Sequence, residues 1–96
     1  MKLSAALRLN RDEIYAAVSR YRTANPRVFG SVLHGTDTDE SDLDLLVDTL
    51  PSATLFDLGE LQVELETILG IQVDLLTPGD IPAKFRSRVL AEARAV

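Results

Sequence analysis

The chain has 96 residues, of which 46% are hydrophobic and 26% charged, and its formal net charge at pH 7 is −5. This length suits one domain with one core, and the composition is typical of a folded globular domain. The absence of cysteine and the single histidine exclude disulfide scaffolds, thiol nucleophiles and zinc sites built from several such residues. No apolar run approaches the roughly 20 residues of a transmembrane helix, and no signal-peptide pattern is present, so we expect a cytoplasmic protein without membrane contact.

Charge is unevenly distributed along the sequence. Residues 28–83 contain twelve Asp and Glu and no Lys or Arg, whereas all ten basic residues lie in the two flanks. An acidic centre repels nucleic acid, whose binding depends on phosphate neutralisation, and attracts metal ions. We therefore expect no direct nucleic-acid binding, and we expect most of these acids to be solvated surface.

The first third of the chain predicts a helix followed by a short strand. Asn10 is a suitable helix N-cap, and Glu13 completes a capping-box-like pair with it. The helix is expected to end before Pro26, because the residue preceding a proline disfavours the helical region. Residues 27–29 then predict a short strand, which a Gly-Ser pair interrupts.

The rest of the chain predicts two strands and two helices. A strand is expected over residues 42–48, a helix over 55–69 with Gly70 as its C-cap, and a strand over 71–76. Asp80 is expected to cap a last helix that runs to about Ala93. The predicted inward faces are Leu58, Leu61, Leu65, Ile68 and Leu69 in the first helix, and Ile81, Phe85, Val89 and Ala93 in the second. Together these elements predict an α+β domain, a small mixed sheet flanked by helices.

Three aspartates lie at strand positions that favour a metal site. Asp42 and Asp44 occupy positions i and i+2 of one predicted strand and therefore point to the same side. Two such anions repel each other and lose hydration, a cost that a cation offsets. Mg²⁺ prefers hard oxygen ligands, usually a few carboxylates together with substrate phosphates. If the next strand is a neighbour, Asp74 can join the cluster as a third ligand.

The Gly30-Ser31 pair precedes this cluster and favours phosphate binding. Glycine lets a phosphate approach the backbone closely, backbone amides at a turn or helix start bind anions, and the serine hydroxyl adds a donor. A phosphate site facing a carboxylate–metal cluster suits phosphoryl or nucleotidyl transfer, in which positioning and charge neutralisation dominate catalysis.

The combined spacing resembles a known family signature. Gly30-Ser31, followed after ten residues by Asp42-x-Asp44, is similar to the signature of the DNA polymerase β-like nucleotidyltransferase superfamily. Residues 28–35 and 41–48 look like the minimal nucleotidyltransferases of the MntA antitoxin type. This resemblance covers essentially the whole chain and implies one minimal nucleotidyltransferase domain over residues 1–96. It also implies an NTP donor, usually ATP, and two Mg²⁺ ions.

The resemblance assigns roles to individual residues. It implies that Asp42, Asp44 and Asp74 are catalytic and bind metal, and that Gly30 and Ser31 hold the triphosphate. The family commonly has arginine just before the second glycine of this loop, where this chain has His34. A phosphate contact and an ordinary loop position therefore both stay open for His34.

The resemblance also implies an activity. Minimal nucleotidyltransferases of this type are paired with a HEPN-family RNase toxin, and the implied reaction transfers AMP from ATP to a tyrosine hydroxyl of that toxin, which silences it. Two alternatives stay open: an inactive antitoxin that neutralises its partner by binding alone, and transfer to a small molecule of the aminoglycoside type. Arg86 and Arg88 are expected on a solvated helix face, with nucleotide or partner contact as the alternative.

Overall fold

The computed structural model describes residues 3–30 and 43–96, with side chains from residue 5 onward. It is the α+β fold predicted from the sequence, a small mixed sheet flanked by helices. None of the helices in these two ranges is long and apolar enough to cross a membrane. The elements in chain order are α1 (Leu3–Leu9), α2 (Arg11–Arg20), β1 (Thr23–Phe29), β2 (Leu43–Thr49), α3 (Leu55–Leu69), β3 (Val73–Leu76), a 3-10 turn (Pro78–Asp80), α4 (Ala83–Glu92) and β4 (Arg94–Ala95).

The sheet has four strands in the order β3-β2-β1-β4. β2 runs parallel to β3, whereas β1 is antiparallel to both β2 and β4. α3 is the crossover between the two parallel strands, as such a connection requires. β2 lies in the interior of the sheet, and this explains why four of its seven side chains are buried.

The hydrophobic core lies between one face of the sheet and the helices α2 and α3. Alternate residues of β2 point to this face, because successive side chains of a strand point to opposite sides. Leu46 is also buried, on the opposite face. The buried core residues include Ile14, Val18, Leu43, Leu45, Val47, Leu61, Leu65 and Val73.

The predicted bounds of α3 are confirmed. Thr54 and Asp57 form a capping box, in which the Thr54 amide donates to the Asp57 carboxylate at 2.9 Å. At the other end, Gly70 adopts a left-handed conformation with φ of 71°, and its amide donates to the carbonyl of Glu66. Both are local signals that depend on residues within one turn of the helix; the sequence analysis used Gly70, and the structure adds the capping box.

The N-terminal predictions need correction. Asn10 is the N-cap residue of α2, as predicted, but its side chain makes no capping hydrogen bond; its amide group instead donates to the carbonyl of Ala6 at 2.9 Å, at the end of the unpredicted helix α1. The first strand begins at Thr23, four residues before the predicted start. It accommodates Pro26 through a change of register between Ala24 and Arg27, where the chain bulges. Proline is tolerated at a bulge because it has no ladder hydrogen bond to make there.

The C-terminal predictions also need correction. β3 begins at Val73 rather than at residue 71. Asp80 does not cap α4; its carboxylate accepts hydrogen bonds from the amide and hydroxyl of Thr77 and so closes the 3-10 turn. α4 begins after Pro82, and Phe85 is 48% exposed instead of pointing inward. The short strand β4 was not predicted, since two residues give no periodic signal.

An ion pair fixes the bulge of β1 to β2. Arg27 donates to both carboxylate oxygens of Asp48, at 2.9 and 3.2 Å, and Asn25 donates to the same carboxylate at 2.9 Å. Asn25 has a left-handed backbone with φ of 53°, which this hydrogen bond helps to hold. The hydrogen bonds from Arg27 and Asn25 lower the pKa of the Asp48 carboxyl below its usual value.

We expect Asp48→Asn to lower the free energy of unfolding at pH 7 by about 0.5–1 kcal/mol, a modest value because solvent screens the partly exposed pair. Since folding lowers the Asp48 pKa, this stabilisation is present above the usual carboxyl pKa and is lost as pH falls through the lowered one. Urea unfolding of both proteins from pH 7 into acid should show their free energies converging. A difference that stays constant over the whole pH range would contradict this account.

Candidate active site

Three of the six predicted site residues lie in the part of the chain that the structure describes. These are Gly30, Asp44 and Asp74, and the structure places them at one edge of the sheet. Ser31, His34 and Asp42 fall within residues 31–42 and lie outside the described residues. The geometry below therefore concerns Gly30, Asp44 and Asp74, and the roles of all six residues stay predictions.

Asp44 and Asp74 are direct neighbours across the parallel strands. The pairing aligns Asp44 with Asp74 and, one position earlier, Leu43 with Val73. Leu43 and Val73 are both buried on the core face, so Asp44 and Asp74 project from the opposite face. Asp44 is half-buried and Asp74 is exposed. A single pairing register therefore brings two carboxylates from different strands together.

Gly30 lies directly against the side chain of Asp44. β1 ends at Phe29, which is paired with Asp44, and Gly30 follows with a left-handed backbone and φ of 77°. A Cβ atom at Gly30 would overlap the Oδ2 atom of Asp44 and would lie 3.4 Å from its Cγ. The sequence suggested that this glycine admits a phosphate. In the structure, its missing side chain also leaves the space that the Asp44 carboxylate occupies.

The donor chemistry of this edge fits a magnesium ion. Two adjacent carboxylates supply hard oxygen ligands, and the exposure of Asp74 leaves room for water or phosphate oxygens, which Mg²⁺ usually retains as ligands. Within residues 3–30 and 43–96 there is no group of three or more acidic or histidine side chains that could hold a metal. The third predicted carboxylate, that of Asp42, would have to complete the set.

Both arginines of α4, Arg86 and Arg88, contact groups of this chain itself. Arg86 donates to the carbonyls of Pro78 and Ile81, at 2.8 and 3.0 Å, and so fixes the turn that follows β3. The Arg88 guanidinium approaches the carboxylate of Glu92 at 3.5 Å on the exposed side of the helix. Arg86 is therefore a structural residue of the β3–α4 connection, a role that sequence reasoning missed.

A mixed sheet with aspartates paired across neighbouring strands and a glycine bend beside them is an arrangement that suits a small nucleotidyltransferase domain. The nucleotidyltransferase domain family matches residues 12–96 of the chain. The chain belongs to this family and is a nucleotidyltransferase enzyme, which confirms the resemblance seen in the sequence.

Individual relatives agree with this assignment. The chain is 39% identical over 66 residues to a Methanocaldococcus jannaschii protein provisionally named a protein adenylyltransferase, covering 69% of this chain and 71% of the relative. It is 37% identical over 65 residues to the protein adenylyltransferase MntA of Thermococcus cleftensis, covering 68% of this chain and 66% of that protein.

Solved structures share the fold. A structure provisionally described as a minimal nucleotidyltransferase superposes with a TM-score of 0.87 at 35% identity, over 97% of this chain and 95% of the other. A toxin–antitoxin structure solved with AMP-PNP superposes with a TM-score of 0.73 at 22% identity, over 90% and 71% of the two chains. At that identity the second likeness establishes the fold alone.

The contact between Gly30 and Asp44 yields a prediction with a matched control. Gly30→Ala and Gly70→Ala both place alanine in a left-handed conformation, at a cost in stability of about 1–2 kcal/mol. Only Gly30→Ala also displaces a carboxylate, because nothing lies within 4 Å of a Cβ at Gly70. We expect nucleotidyl transfer to fall by roughly tenfold or more in Gly30→Ala, since misplacement by about 1 Å has such effects. Gly70→Ala should keep its activity below its melting temperature.

Transfer assays at a temperature where both variants are folded, as verified by circular dichroism, measure this difference. Equal activity of the two variants would show that the Asp44 carboxylate does not need the space beside Gly30.

Proposed function

We propose that this chain is a Mg²⁺-dependent protein adenylyltransferase, and that it is the antitoxin of a HEPN-family RNase toxin. It would transfer AMP from ATP to a tyrosine hydroxyl of the toxin in the cytoplasm. The observation that carries the proposal is the alignment of Asp44 with Asp74 beside the Gly30 bend. The names of the relatives, protein adenylyltransferase, and the likeness to toxin–antitoxin structures support it.

The proposed roles follow from the donor chemistry of each residue. Asp42, Asp44 and Asp74 would hold two Mg²⁺ ions, while the Gly30 and Ser31 amides and the Ser31 hydroxyl would hold the triphosphate, with His34 as a further contact. Bound Mg²⁺ lowers the pKa of an attacking hydroxyl and stabilises a leaving pyrophosphate. Asp74 is exposed and can accept the proton that the tyrosine hydroxyl loses.

The reaction balances without a further reactant. The tyrosine oxygen forms a bond to the α-phosphorus of ATP, the bond from that phosphorus to the bridging oxygen breaks, and pyrophosphate leaves. The products are adenylylated tyrosine and pyrophosphate, with the proton on Asp74 passing to solvent. Asp74 is suited to this step because it is more exposed than its neighbour Asp44.

We assign residues 1–96 to one nucleotidyltransferase domain, with the acceptor supplied by a partner. All strands within residues 3–30 and 43–96 belong to one sheet, and α2 and α3 pack on it around a shared core. The described residues thus form one layered unit, which supports the assignment to a single domain; the proposal of a protein acceptor is supported by the names of the relatives.

Single substitutions of the paired aspartates test the catalytic assignment. Asp44→Asn and Asp74→Asn should each reduce AMP transfer by roughly 100-fold or more, because the lost carboxylate both binds metal and neutralises charge in the transition state. Asp12→Asn is the matched control, since Asp12 is an exposed aspartate in the first turn of α2. The measurement is incorporation of α-labelled ATP with Mg²⁺ into a co-expressed HEPN-family partner, together with the intact mass of that partner.

The outcomes separate the three functions. A mass gain of one or more adenylates that the aspartate variants abolish supports the proposal, and EDTA should abolish it as well. Label that survives both variants overturns the catalytic assignment. Neutralisation of the partner without label indicates an antitoxin that acts by binding alone, and label on an aminoglycoside rather than on protein indicates a small-molecule acceptor.

A further inference from the structure

The outer side of α3 carries an apolar stripe that faces solvent. Phe56 is 84% exposed and Val63 is 63% exposed, and Gly59 lies between them. Their spacing of three and four residues places them on one side of a helix. With Tyr21, the residue that follows α2, they line an open groove of about 590 Å³, whose rim carries Glu60 and Glu64. We call it the α3 groove.

The fold does not need this stripe for its own packing. The opposite side of α3 carries Leu61 and Leu65, which are fully buried in the core. The capping box at Thr54 and the left-handed Gly70 complete the two ends of the helix. Because α3 is already anchored on its inner side, large apolar residues on its outer side are characteristic of a binding surface.

The middle of the groove is open because of Gly59. No atom lies within 4 Å of the position that a Cβ would take at Gly59, and the residue is exposed. Glycine in a helix interior lowers stability relative to alanine, so its presence has a cost for the fold. The missing side chain lets the backbone of a second helix approach α3 closely.

The charges of the rim indicate what kind of partner fits. α3 contains four acidic residues and no basic ones. Asp57 is used in the capping box, Glu66 accepts from the amide of Val73, and Glu64 forms an ion pair with Arg20, which lowers the Glu64 pKa. Glu60, in contrast, makes no hydrogen bond or ion pair with any described residue.

From this surface we propose that the α3 groove docks a helix of a partner protein whose apolar side chains are flanked by Lys or Arg. Apolar side chains of the partner would fill the space beside Phe56 and over Gly59, and a cation would pair with Glu60. An anionic membrane surface does not fit, since the rim is acidic. Two α3 grooves facing each other would bring their Glu60 side chains together, so charge favours a basic partner over a second copy.

The groove and the candidate active site lie on opposite sides of the sheet. α3 packs on the face that carries Leu43 and Leu45, whereas Asp44 projects from the other face. Docking at the groove therefore leaves the paired aspartates accessible. The inference goes beyond the proposed function and does not require catalysis.

Two fluorescent 18-residue helical peptides test the charge and the apolar stripe together. Both carry leucine at positions 4, 8, 11 and 15, with lysine at the exposed positions of one and glutamate at those of the other. Anisotropy titrations with the full chain should show binding of the lysine peptide and at least tenfold weaker binding of the glutamate peptide. Phe56→Ser with Val63→Ser should weaken binding of the lysine peptide at least tenfold, and Glu60→Lys should weaken it several-fold.

Leu9→Ser is the matched control, because Leu9 is 71% exposed on α1, outside the groove. It should leave binding unchanged, and so should Asp44→Asn, which separates this inference from the proposed catalytic function. Equal binding of the two peptides, or unchanged binding by the Phe56 and Val63 double variant, would overturn the proposal. Sedimentation as a dimer that this double variant abolishes would also overturn it, by showing that a second copy occupies the groove.

Discussion

The parallel pairing of β2 with β3 is the constraint on which the candidate active site depends. Side chains alternate along a strand, so a slip of one residue would move Asp74 to the core face beneath α3. Leu43 and Val73 oppose this slip because both are buried when the strands pair as observed. The amide of Leu43 donates to the carbonyl of Gln72 at 3.1 Å, which holds the first residues of the pair in place. The core thus fixes the position of two carboxylates that project from the other face of the sheet.

The end of β1 and the beginnings of β2 and β3 lie together at this edge of the sheet. β1 ends at Phe29 where β2 and β3 begin, since β1 runs antiparallel to β2. Gly30 follows at once, and its left-handed backbone turns the chain beside Asp44. Away from this edge, Arg27 binds Asp48 and fixes the bulge in β1. Attractive charge interactions stabilise the far end of the strand pair, while like charges are concentrated at the candidate site.

Local signals made part of this fold predictable. The bounds of α3 were predicted from its apolar spacing and from Gly70, and the α+β class from the alternating patterns; the capping box of Thr54 and Asp57 is a further local signal at the start of α3, found in the structure. Asn10 lies at the predicted N-cap of α2, but its side chain and that of Asp80 make hydrogen bonds other than the predicted capping bonds. Polar side chains have several possible partners, and the sequence does not decide between them. The early start of β1 was missed because a proline in a strand is compatible with pairing only at a bulge, and bulges depend on the partner strand.

The candidate site also has features that local sequence predicts and features that depend on how the strands pair. The residue types and their spacing were sufficient to nominate Asp44 and Gly30 and to indicate the family. The placement of Asp74 depends on strand order and register, and the contact of Gly30 with the Asp44 side chain depends on the pairing of β1 with β2. Both features depend on pairing between strands that are distant in the sequence. The sequence alone could therefore predict them only on the assumption that these strands are neighbours.

The register can be measured directly because the chain has no native cysteine. Aligned residues on neighbouring strands have Cα atoms about 4.8 Å apart, within the range of a disulfide. Asp44→Cys combined with Asp74→Cys should therefore form an intramolecular disulfide under mild oxidation, seen by intact mass as the loss of two hydrogens. Asp44→Cys combined with Leu76→Cys, offset by two residues, should form little. A disulfide in the offset pair and none in the aligned pair would contradict the arrangement of the active site described above.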